Sequence, residues 1–371
     1  MKREFQICKR CVMDTTDLEI VFDENGFCNH CTNAIKRLNE VYNIDPEIKL
    51  KKLNRIVEKI KKEGKGKKYN CIIGLSGGVD SSYLAYIVVK QLGLRPLAIH
   101  VDNGWDSELA VMNIHNIVNK LDIDLFTYVI DWEEFKDLQV SYLKAGVIDL
   151  EVLSDNAIVV TVHRMLKKYN LKYFLIGFNY ATESIMPYSW IYSPKYDALN
   201  IKSIYNKFGN KLDLKTYPFF NLIEYLDYRF FDKSRSINIL DLIHYDKELA
   251  KNLLINELNW RDYGGKHYES KITQFYQAFI LPQKFNVDKR KAHLSSLICS
   301  KQISRDEAII ELESSLYKKE MLNEDIDYFI KKLALSSNEF ELIMKMNINS
   351  HYSYPSWNGL IKKVIEIKNK I

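Results

Sequence analysis

A glycine-rich turn between a predicted buried strand and a predicted helix constrains the fold of this chain more than any other feature. The turn has the sequence SGGVDSS over residues 76–82. Adjacent glycines let the backbone approach an anion closely, and the start of the following helix aims free N–H groups and a positive dipole end at the same point. The loop offers two glycines, the valine after them and three serine hydroxyls: Gly77, Gly78, Val79, Ser76, Ser81 and Ser82. This pattern predicts a phosphate-binding loop, and it differs from the Walker loop because no Lys-Ser or Lys-Thr pair follows the glycines.

Asp80 places a carboxylate beside the predicted phosphate site. Such a group is tolerable where Mg²⁺ bridges it to the phosphates, or where it caps the helix. The alternative interpretation of a Gly-Gly pair is an ordinary turn with an Asp or Ser helix cap. The complete string, placed between a strand and a helix, favours the phosphate site.

From residue 69 onward, short apolar runs alternate with amphipathic stretches. We predict four strands, at 69–75, 96–101, 126–130 and 173–177. We predict helices between them at 81–92, 107–121 and 155–168. This alternation predicts an α/β fold with a parallel sheet covered on both faces. Beyond about residue 225 the strand signals fade, and helical spacing covers 240–258, 306–319 and 323–334.

Four of the six cysteines form two C-x2-C pairs near the N-terminus: Cys8, Cys11, Cys28 and Cys31. Two such turns can present four thiolates to one ion, so the spacing predicts a structural zinc ribbon without an open catalytic position. An iron–sulfur cluster and a pair of redox motifs are the alternatives. His30 could replace one ligand, although four thiolates already close the site. Cys71 and Cys299 are single, and we predict that both are buried and inert.

Composition limits the class of protein more than its chemistry. The apolar fraction is 47%, and 53 Lys and Arg face 48 Asp and Glu, so disorder is excluded and a nucleic-acid partner is not implied. No stretch approaches ~18 uninterrupted apolar residues, and the N-terminus lacks a secretory core, so we expect a cytoplasmic protein. We expect three units, a zinc-ribbon-like module, a nucleotide-binding domain and a mainly α-helical region, at 1–44, 45–225 and 226–371.

SGGVDSS resembles the SGGxDS signature of the PP-loop ATP pyrophosphatases. The resemblance implies an α/β domain of the adenine nucleotide α-hydrolase type, whose loop holds the pyrophosphate end of ATP. It also implies release of pyrophosphate as an oxygen of the substrate is adenylated, with Asp80 and Ser76 as catalytic residues. By the same resemblance, the end of the second strand runs beside the adenine: His100, Val101 and Asp102.

Further strings resemble the N-acetyl sugar amidotransferases of bacterial surface-polysaccharide and nonulosonic-acid pathways. They are CxxCVMDTT at 8–16, FDENG at 22–26, CNHC at 28–31, HVDNGW at 100–105, IDWE at 130–133, ATE at 181–183, Pro187, SW at 189–190, and YGGKHYES at 263–270. The sequence Ser154-Asp155-Asn156 departs from the Asp-His expected there. The resemblance implies conversion of an N-acetyl into an acetamidino group, using ATP, Mg²⁺ and ammonia. It further implies that a partner glutaminase and a cyclase-like barrel of the histidine-pathway type deliver that ammonia.

Candidate substrate residues follow the fourth strand, because ligands bind at the carboxyl ends of open parallel sheets: Asn179, Thr182 and Glu183. Two tryptophans could stack on a sugar or base, or simply pack in loops: Trp105 and Trp190. Lys266 is a candidate phosphate contact, and His267 and Glu269 are weaker candidates for the substrate. The run Lys289-Arg290-Lys291 could contact an anion, but short charge runs are more often solvated helix faces.

Two other functions remain open at this point. A tRNA-modifying PP-loop enzyme, of the thiolase or lysidine-synthetase type, could also carry a zinc ribbon. The formal charge of only +5, and the lack of a basic arm interleaved with aromatic residues, argue against it. An adaptor with a degenerate nucleotide fold is the non-enzymatic alternative, and the intact loop argues against that.

Overall fold

Five parallel strands form one sheet in the order β3-β2-β1-β4-β5. The computed structural model describes residues 4–263, 270–317, 319–357 and 359. The strands are β1 (Cys71–Gly74), β2 (Pro96–Asp102), β3 (Asp124–Val129), β4 (Tyr173–Ile176) and β5 (Arg235–Asn238). In the register of the central strands, Ile73 lies opposite Ala98 of β2 and Leu175 of β4. The predicted α/β class and its parallel sheet are confirmed.

Helices precede, connect and follow the strands. Those up to the fourth strand are α1 (Asn29–Val41), α2 (Pro46–Glu63), α3 (Val79–Tyr86), α4 (Glu108–Leu121), α5 (Trp132–Ala145) and α6 (Val152–Lys168). The later ones are α7 (Tyr180–Glu183), α8 (Ala198–Phe208), α9 (Leu222–Leu226), α10 (Lys247–Leu258), α11 (Lys271–Phe275), α12 (Leu281–Phe285), α13 (Arg290–Cys299), α14 (Arg305–Glu313), α15 (Lys319–Lys332) and α16 (Ser337–Lys345). Short π turns cover Ile87–Gln91, Asp227–Phe231 and Tyr276–Ile280, and 3-10 turns cover Tyr188–Trp190, Ile239–Leu242 and His351–Ser353.

The central strand β1 is buried on both faces, as expected for a parallel sheet covered by helices. Cys71 and Ile73 point into the core beneath α3 and α4, whereas Ile72 points into a second core on the opposite face. All three side chains are fully buried. The apolar run that predicts this strand therefore reflects burial on two faces.

The fifth strand was not expected, because we predicted that strand signals end near residue 225. That prediction was wrong: residues 235–238 pair in parallel with β4, with Ile237 opposite Leu175. The strand reads RSIN and lies at the edge of the sheet with its first two residues exposed. Only one of its residues is aliphatic, so it carries no apolar run. We propose that the unit containing the sheet extends at least to Asn238.

The N-terminal cysteine module is packed onto the helices of the last third of the chain. Val12 donates its backbone N–H to Oγ of Ser295 in α13 over 3.2 Å. Arg305, the first residue of α14, donates to the carbonyl oxygens of Cys8 and Cys11, each over 3.1 Å. All four paired cysteines belong to the same buried apolar cluster as the C-terminal helices. These contacts join the two ends of the described chain.

Within the residues that the structure describes, no helix is long and apolar enough to cross a membrane.

Candidate active site

The SGGVDSS loop connects β1 to α3 at the carboxyl edge of the sheet, where open parallel sheets bind ligands. Gly77 adopts φ +81°, and a Cβ there would lie 2.6 Å from the carbonyl oxygen of Ala110. A side chain at this position would therefore clash with α4 as well as strain the backbone. Gly78 precedes the first turn of α3, and no side chain caps that helix. The glycines thus place no side chain of their own between the first turn of α3 and an incoming anion.

The serines of the loop have different environments. Ser76 is exposed, and its hydroxyl lies 3.1 Å from that of Ser81. The Ser76 hydroxyl also accepts the N–H of Gly78 over 3.3 Å. Ser82 is fully buried beneath the loop, and its hydroxyl has no hydrogen-bond partner among the described residues. Ser76 and Ser81 are therefore the hydroxyls placed toward a ligand, whereas Ser82 lies on the core side.

Asp80 is held by Tyr245, whose hydroxyl donates to carboxylate oxygen Oδ1. Burial, followed by the charge of Asp80, raises the pKa of Tyr245 far above its ordinary value, so the phenol keeps its proton. Behind the carboxylate, Gly177 at the end of β4 allows close approach, because a Cβ there would lie 3.1 Å from the backbone of Asp80. These contacts fix the direction of the carboxylate beside the loop.

Two aromatic residues that the sequence did not single out support the loop. The indole nitrogen of Trp260 donates to the carbonyl oxygen of Gly77 over 2.9 Å. The hydroxyl of Tyr263 accepts the N–H of Val79 over 3.1 Å. Tyr263 opens the YGGKHYES string, but nothing in its spacing indicated this contact with the loop. The segment after α10 therefore supports the phosphate loop from outside the sheet.

His100, on β2, lies beside the loop and carries an ion pair. Its Nδ1 is 3.1 Å from the carbonyl oxygen of Leu75, and its Nε2 is 3.1 Å from Oδ2 of Asp106. Burial alone would lower the pKa of His100, but the hydrogen bond and charge of Asp106, with smaller contributions from the Leu75 carbonyl and the charge of Asp102, hold it above its ordinary value. At the end of the strand, the carboxylate of Asp102 accepts the N–H of Gly104 over 2.9 Å. Val101, between them, is half-buried.

The Asp106→Asn substitution should lower the pKa of His100, because it removes the charge of Asp106 that opposes the effect of burial. An NMR titration of the imidazole checks this shift. A group whose pKa is raised by folding stabilises the protein below its unfolded pKa, and it loses that contribution as pH rises through its folded pKa. In the unmodified protein, titration of His100 should make the free energy of unfolding decrease as the pH rises above about 6.5. The variant should lose this decrease. An unchanged His100 pKa in the variant would show that the pair does not set this charge.

Three of the candidate substrate residues lie at the end of β4. Asn179 is fully buried and caps α7, since its Oδ1 accepts from the N–H and the hydroxyl of Thr182, over 2.9 and 3.0 Å. The side-chain nitrogen of Asn179 has no hydrogen-bond partner among the described residues. Glu183 is half-buried on the same short helix. The structure brings these residues to the edge that carries the loop, and their role toward a substrate stays a prediction.

Both candidate tryptophans are buried by protein. Trp105 donates from its indole nitrogen to Gln139 over 2.7 Å and stacks on Phe329 with ring centres 5.8 Å apart. The ammonium of Lys332 lies 4.6 Å from the centre of the Trp105 ring. Trp190 is 2% exposed. Protein atoms therefore cover the ring faces on which a ligand would stack. The alternative interpretation, that these tryptophans pack within the protein, applies to both rings in this structure.

The remaining sequence candidates are outside the described residues or neutralised. Lys266, His267 and Glu269 fall within 264–269, which the structure does not describe. The charge run at 289–291 is neutralised residue by residue, in the pairs Lys289–Glu151 (2.5 Å), Arg290–Asp288 (2.8 Å) and Lys291–Asp14 (2.5 Å). Among the described residues, this run is therefore part of the protein's own packing.

The four paired cysteines converge on one point. Their sulfur atoms all lie within 4.8 Å of one another, with 3.7 Å between Cys8 and Cys31 and 3.6 Å between Cys11 and Cys28. A tetrahedral zinc with four Zn–S bonds of about 2.3 Å requires sulfur separations of about 3.8 Å. Nε2 of His30 is 2.5 Å from Asp17 and is not part of the group. The donor set therefore fits a closed, structural zinc site.

Comparisons with known proteins match two separate parts of the chain. The family model described as NAD synthase matches residues 50–212. The model described as the C-terminal domain of LPS biosynthesis protein WbpG-like proteins matches residues 269–368. The first match covers β1 to β4 and the loop, and the second covers the C-terminal helices.

Two sequence relatives are each similar to less than half of this chain. An uncharacterized protein of Methanocaldococcus jannaschii is 29% identical over 171 residues, which are 46% of this chain and 58% of that protein. The glutamine-hydrolyzing GMP synthase of Pyrobaculum aerophilum is 29% identical over 149 residues, covering 38% of this chain and 26% of the synthase. The structure of an NH3-dependent NAD synthetase from Campylobacter jejuni covers 58% of this chain and 94% of that one, at 13% identity and a TM-score of 0.30. The chain thus spans little more than half of the first relative and about a quarter of the second.

The parallel sheet, the SGGVDSS loop at its carboxyl edge and the NAD synthase match together support membership of the PP-loop ATP pyrophosphatase superfamily. The WbpG-like match covers a second, helical region of this chain.

Proposed function

We propose that this protein is an ATP-dependent amidotransferase that converts the N-acetyl group of a bacterial sugar into an acetamidino group. One observation carries the proposal: the chain joins an intact ATP-type loop to a region matched by a family of lipopolysaccharide biosynthesis proteins, and the two regions pack together. The packing is direct, since α13 of the second region lies against α7 of the first, at the end of β4. In this proposal, the loop binds and activates ATP, and the second region binds the acceptor sugar.

The reaction overcomes the poor reactivity of an amide. The acetamido oxygen attacks the α-phosphorus of ATP, the bond to the bridging oxygen breaks, and pyrophosphate leaves. The product is an O-adenylated imidate. Ammonia then adds to its carbon, AMP departs with the former amide oxygen, and a proton is lost to give the acetamidino group. The sum exchanges one oxygen for an NH group and consumes one ATP.

The loop residues bind and orient the nucleotide. The first turn of α3 and the hydroxyls of Ser76 and Ser81 would hold the pyrophosphate end of ATP, with the Gly77 backbone in close approach. Asp80, oriented by Tyr245, would hold Mg²⁺, which neutralises charge on the departing pyrophosphate. His100, Val101 and Asp102, on the neighbouring strand, would border the adenine. Zinc at the four cysteines would have a structural role.

The ammonia must come from outside the described part of this chain. Cys71 is fully buried in β1, and burial raises the pKa of its thiol well above the ordinary value, so it is not an activated nucleophile. Glutamine hydrolysis in the name of the GMP synthase relative supports an ammonia-using reaction. The proposed partners are a glutaminase subunit and a cyclase-like barrel subunit of the histidine-pathway type. We place the reaction in the cytoplasm, where ATP and glutamine are available.

The direct test supplies ammonia as ammonium chloride, which removes the need for the partners. Purified protein is incubated with ATP, Mg²⁺ and either UDP-N-acetylglucosamine or N-acetylneuraminic acid, with pyrophosphate as the readout. We expect sugar-dependent pyrophosphate release and, by mass spectrometry, exchange of one oxygen for NH. Release with neither sugar would contradict the proposed substrate class. Copurifying tRNA that dissociates with added salt would instead favour the tRNA-modifying alternative.

A further inference from the structure

A cavity of about 560 Å³ lies among the helices that follow the sheet. Its walls come from α10, α11, the π turn after α11, α13 and the end of α14. The volume is within the 300–1,000 Å³ typical of small-molecule sites. None of the loop residues lines it, so the ATP chemistry proposed above does not account for it.

The cavity shares two walls with the proposed active site. Tyr245, which holds Asp80, is followed two residues later by Lys247, which lines the cavity at the start of α10. On another side, Leu294 and Leu297 of α13 line it, and the same helix packs against α7 at the end of β4. The elements that line this cavity are therefore continuous with those that contact the proposed active site.

One buried polar side chain in this cavity has no hydrogen-bond partner among the described residues. Gln274 is only 8% exposed, yet its carboxamide makes no hydrogen bond with any described residue. Its neighbour one helical turn later, Gln277, differs because it donates to Glu151 over 2.9 Å. Gln274 lines the cavity, and native proteins usually pair such polar groups with protein, water or a ligand. The carboxamide offers both a donor and an acceptor to whatever occupies the cavity.

The charges around the cavity indicate the class of ligand. Lys251, Lys289 and Arg290 each form an ion pair with a carboxylate, at 3.1, 2.5 and 2.8 Å respectively. Cations that are already paired with carboxylates bind an anion only weakly. The remaining lining has amides, serine hydroxyls and leucine side chains, for example Ser315 and Leu297, together with cationic or titratable groups and carboxylates: Lys247, His293, Glu248, Asp288 and Glu311. Groups of this kind suit a ligand with many hydroxyls and an apolar C–H face, which describes a sugar ring.

We propose that this cavity binds the ring of the N-acetyl sugar, with the carboxamide of Gln274 hydrogen-bonded to it. The proposal rests on the proposed function for the identity of the sugar, but not for the existence of the site. The proposal assigns the WbpG-like region a role in sugar binding, because α11, α13 and α14 all lie within that match.

Binding measured without ATP tests the cavity by itself. Isothermal titration uses UDP-N-acetylglucosamine and N-acetylneuraminic acid as probes, so that nucleotide-linked and free acidic sugars are distinguished. We expect at least one probe to bind the full chain, and Gln274→Leu to weaken that binding about tenfold or more, equivalent to about 1.4 kcal/mol. Leu297→Trp, which fills the cavity, should weaken it as well. The matched control, Gln302→Leu, replaces a half-buried glutamine outside the cavity and should bind like the unmodified chain.

The outcomes separate this proposal from the proposed function. Failure of both probes to bind, or unchanged affinity in folded Gln274→Leu and Leu297→Trp variants, would overturn the sugar cavity. Retained pyrophosphate release in those variants, with unchanged KM for the sugar, would overturn the cavity and leave the amidotransferase standing. Cavity-dependent binding without any pyrophosphate release would support the cavity and contradict the amidotransferase.

Discussion

The Asp80→Asn protein should fold normally and release pyrophosphate at least about 100-fold more slowly than the unmodified protein. The substitution keeps the size of the side chain but removes the charge that would hold Mg²⁺ against the phosphates. Because Tyr245 donates to this carboxylate, the amide can still accept that hydrogen bond, and the local structure should persist. Sugar-dependent pyrophosphate release is the measurement, and the thermal unfolding midpoint reports on the fold.

Asp213→Asn is the matched control for this experiment. Asp213 lies in an exposed loop with 82% of its side chain accessible, so its substitution removes the same charge without touching the phosphate loop. Its rate should equal that of the unmodified protein. Undiminished release from Asp80→Asn would show that the carboxylate does not take part in ATP activation. Tyr245→Phe extends the test, since it keeps the charge but removes the group that orients it, and should give a smaller loss.

The Cys11→Ser substitution should abolish stoichiometric zinc binding and lower the free energy of unfolding by more than about 4 kcal/mol. Four buried sulfur atoms would otherwise converge on one ion, and three thiolates with a hydroxyl bind zinc poorly. The site lies inside the cluster that includes the C-terminal helices, so the loss should extend beyond the first 44 residues. Metal content by mass spectrometry and urea unfolding measure the two effects.

Cys71→Ala provides the control for the cysteine experiment. Cys71 is equally buried but lies in β1, away from the other four sulfur atoms. It should keep one zinc per chain and lose only the packing of one sulfur atom. A Cys11→Ser protein with full zinc content and unchanged unfolding would contradict a zinc site here. Iron with visible absorption in the unmodified protein would favour the iron–sulfur alternative.

The sequence was sufficient to predict the sheet where apolar runs are continuous. Residues such as Ile72 and Ile73 are buried on opposite faces of a central strand, and such burial requires the run that reveals it. The cysteine group was predictable for a different reason, because C-x2-C spacing fixes local geometry before any tertiary contact forms. β5 had neither signal, since an edge strand needs only backbone pairing to be held in place.

The supports of the loop could not be predicted in the same way. Tyr245 contacts Asp80 across 165 positions, and Trp260 contacts Gly77 across 183. Contacts over such separations depend on how helices pack, and an aromatic residue gives no local pattern that distinguishes a loop support from an ordinary core residue. Trp105 illustrates the opposite error, because a tryptophan after a strand suggested stacking on a ligand, whereas Phe329 covers the ring.

The hydrogen bond between Val12 and Ser295 joins residues 283 positions apart, and this has a consequence for how the chain matures. The cysteine module emerges from the ribosome well before its docking helices, because the nucleotide-binding sheet lies between them in the sequence. The apolar surface of the module therefore stays exposed until the nucleotide-binding sheet has formed. Closure over so long a chain is slow, and an undocked apolar surface invites aggregation. Docking of the N-terminal module is thus expected to be the last step of folding, and early metal loading would keep the waiting module ordered.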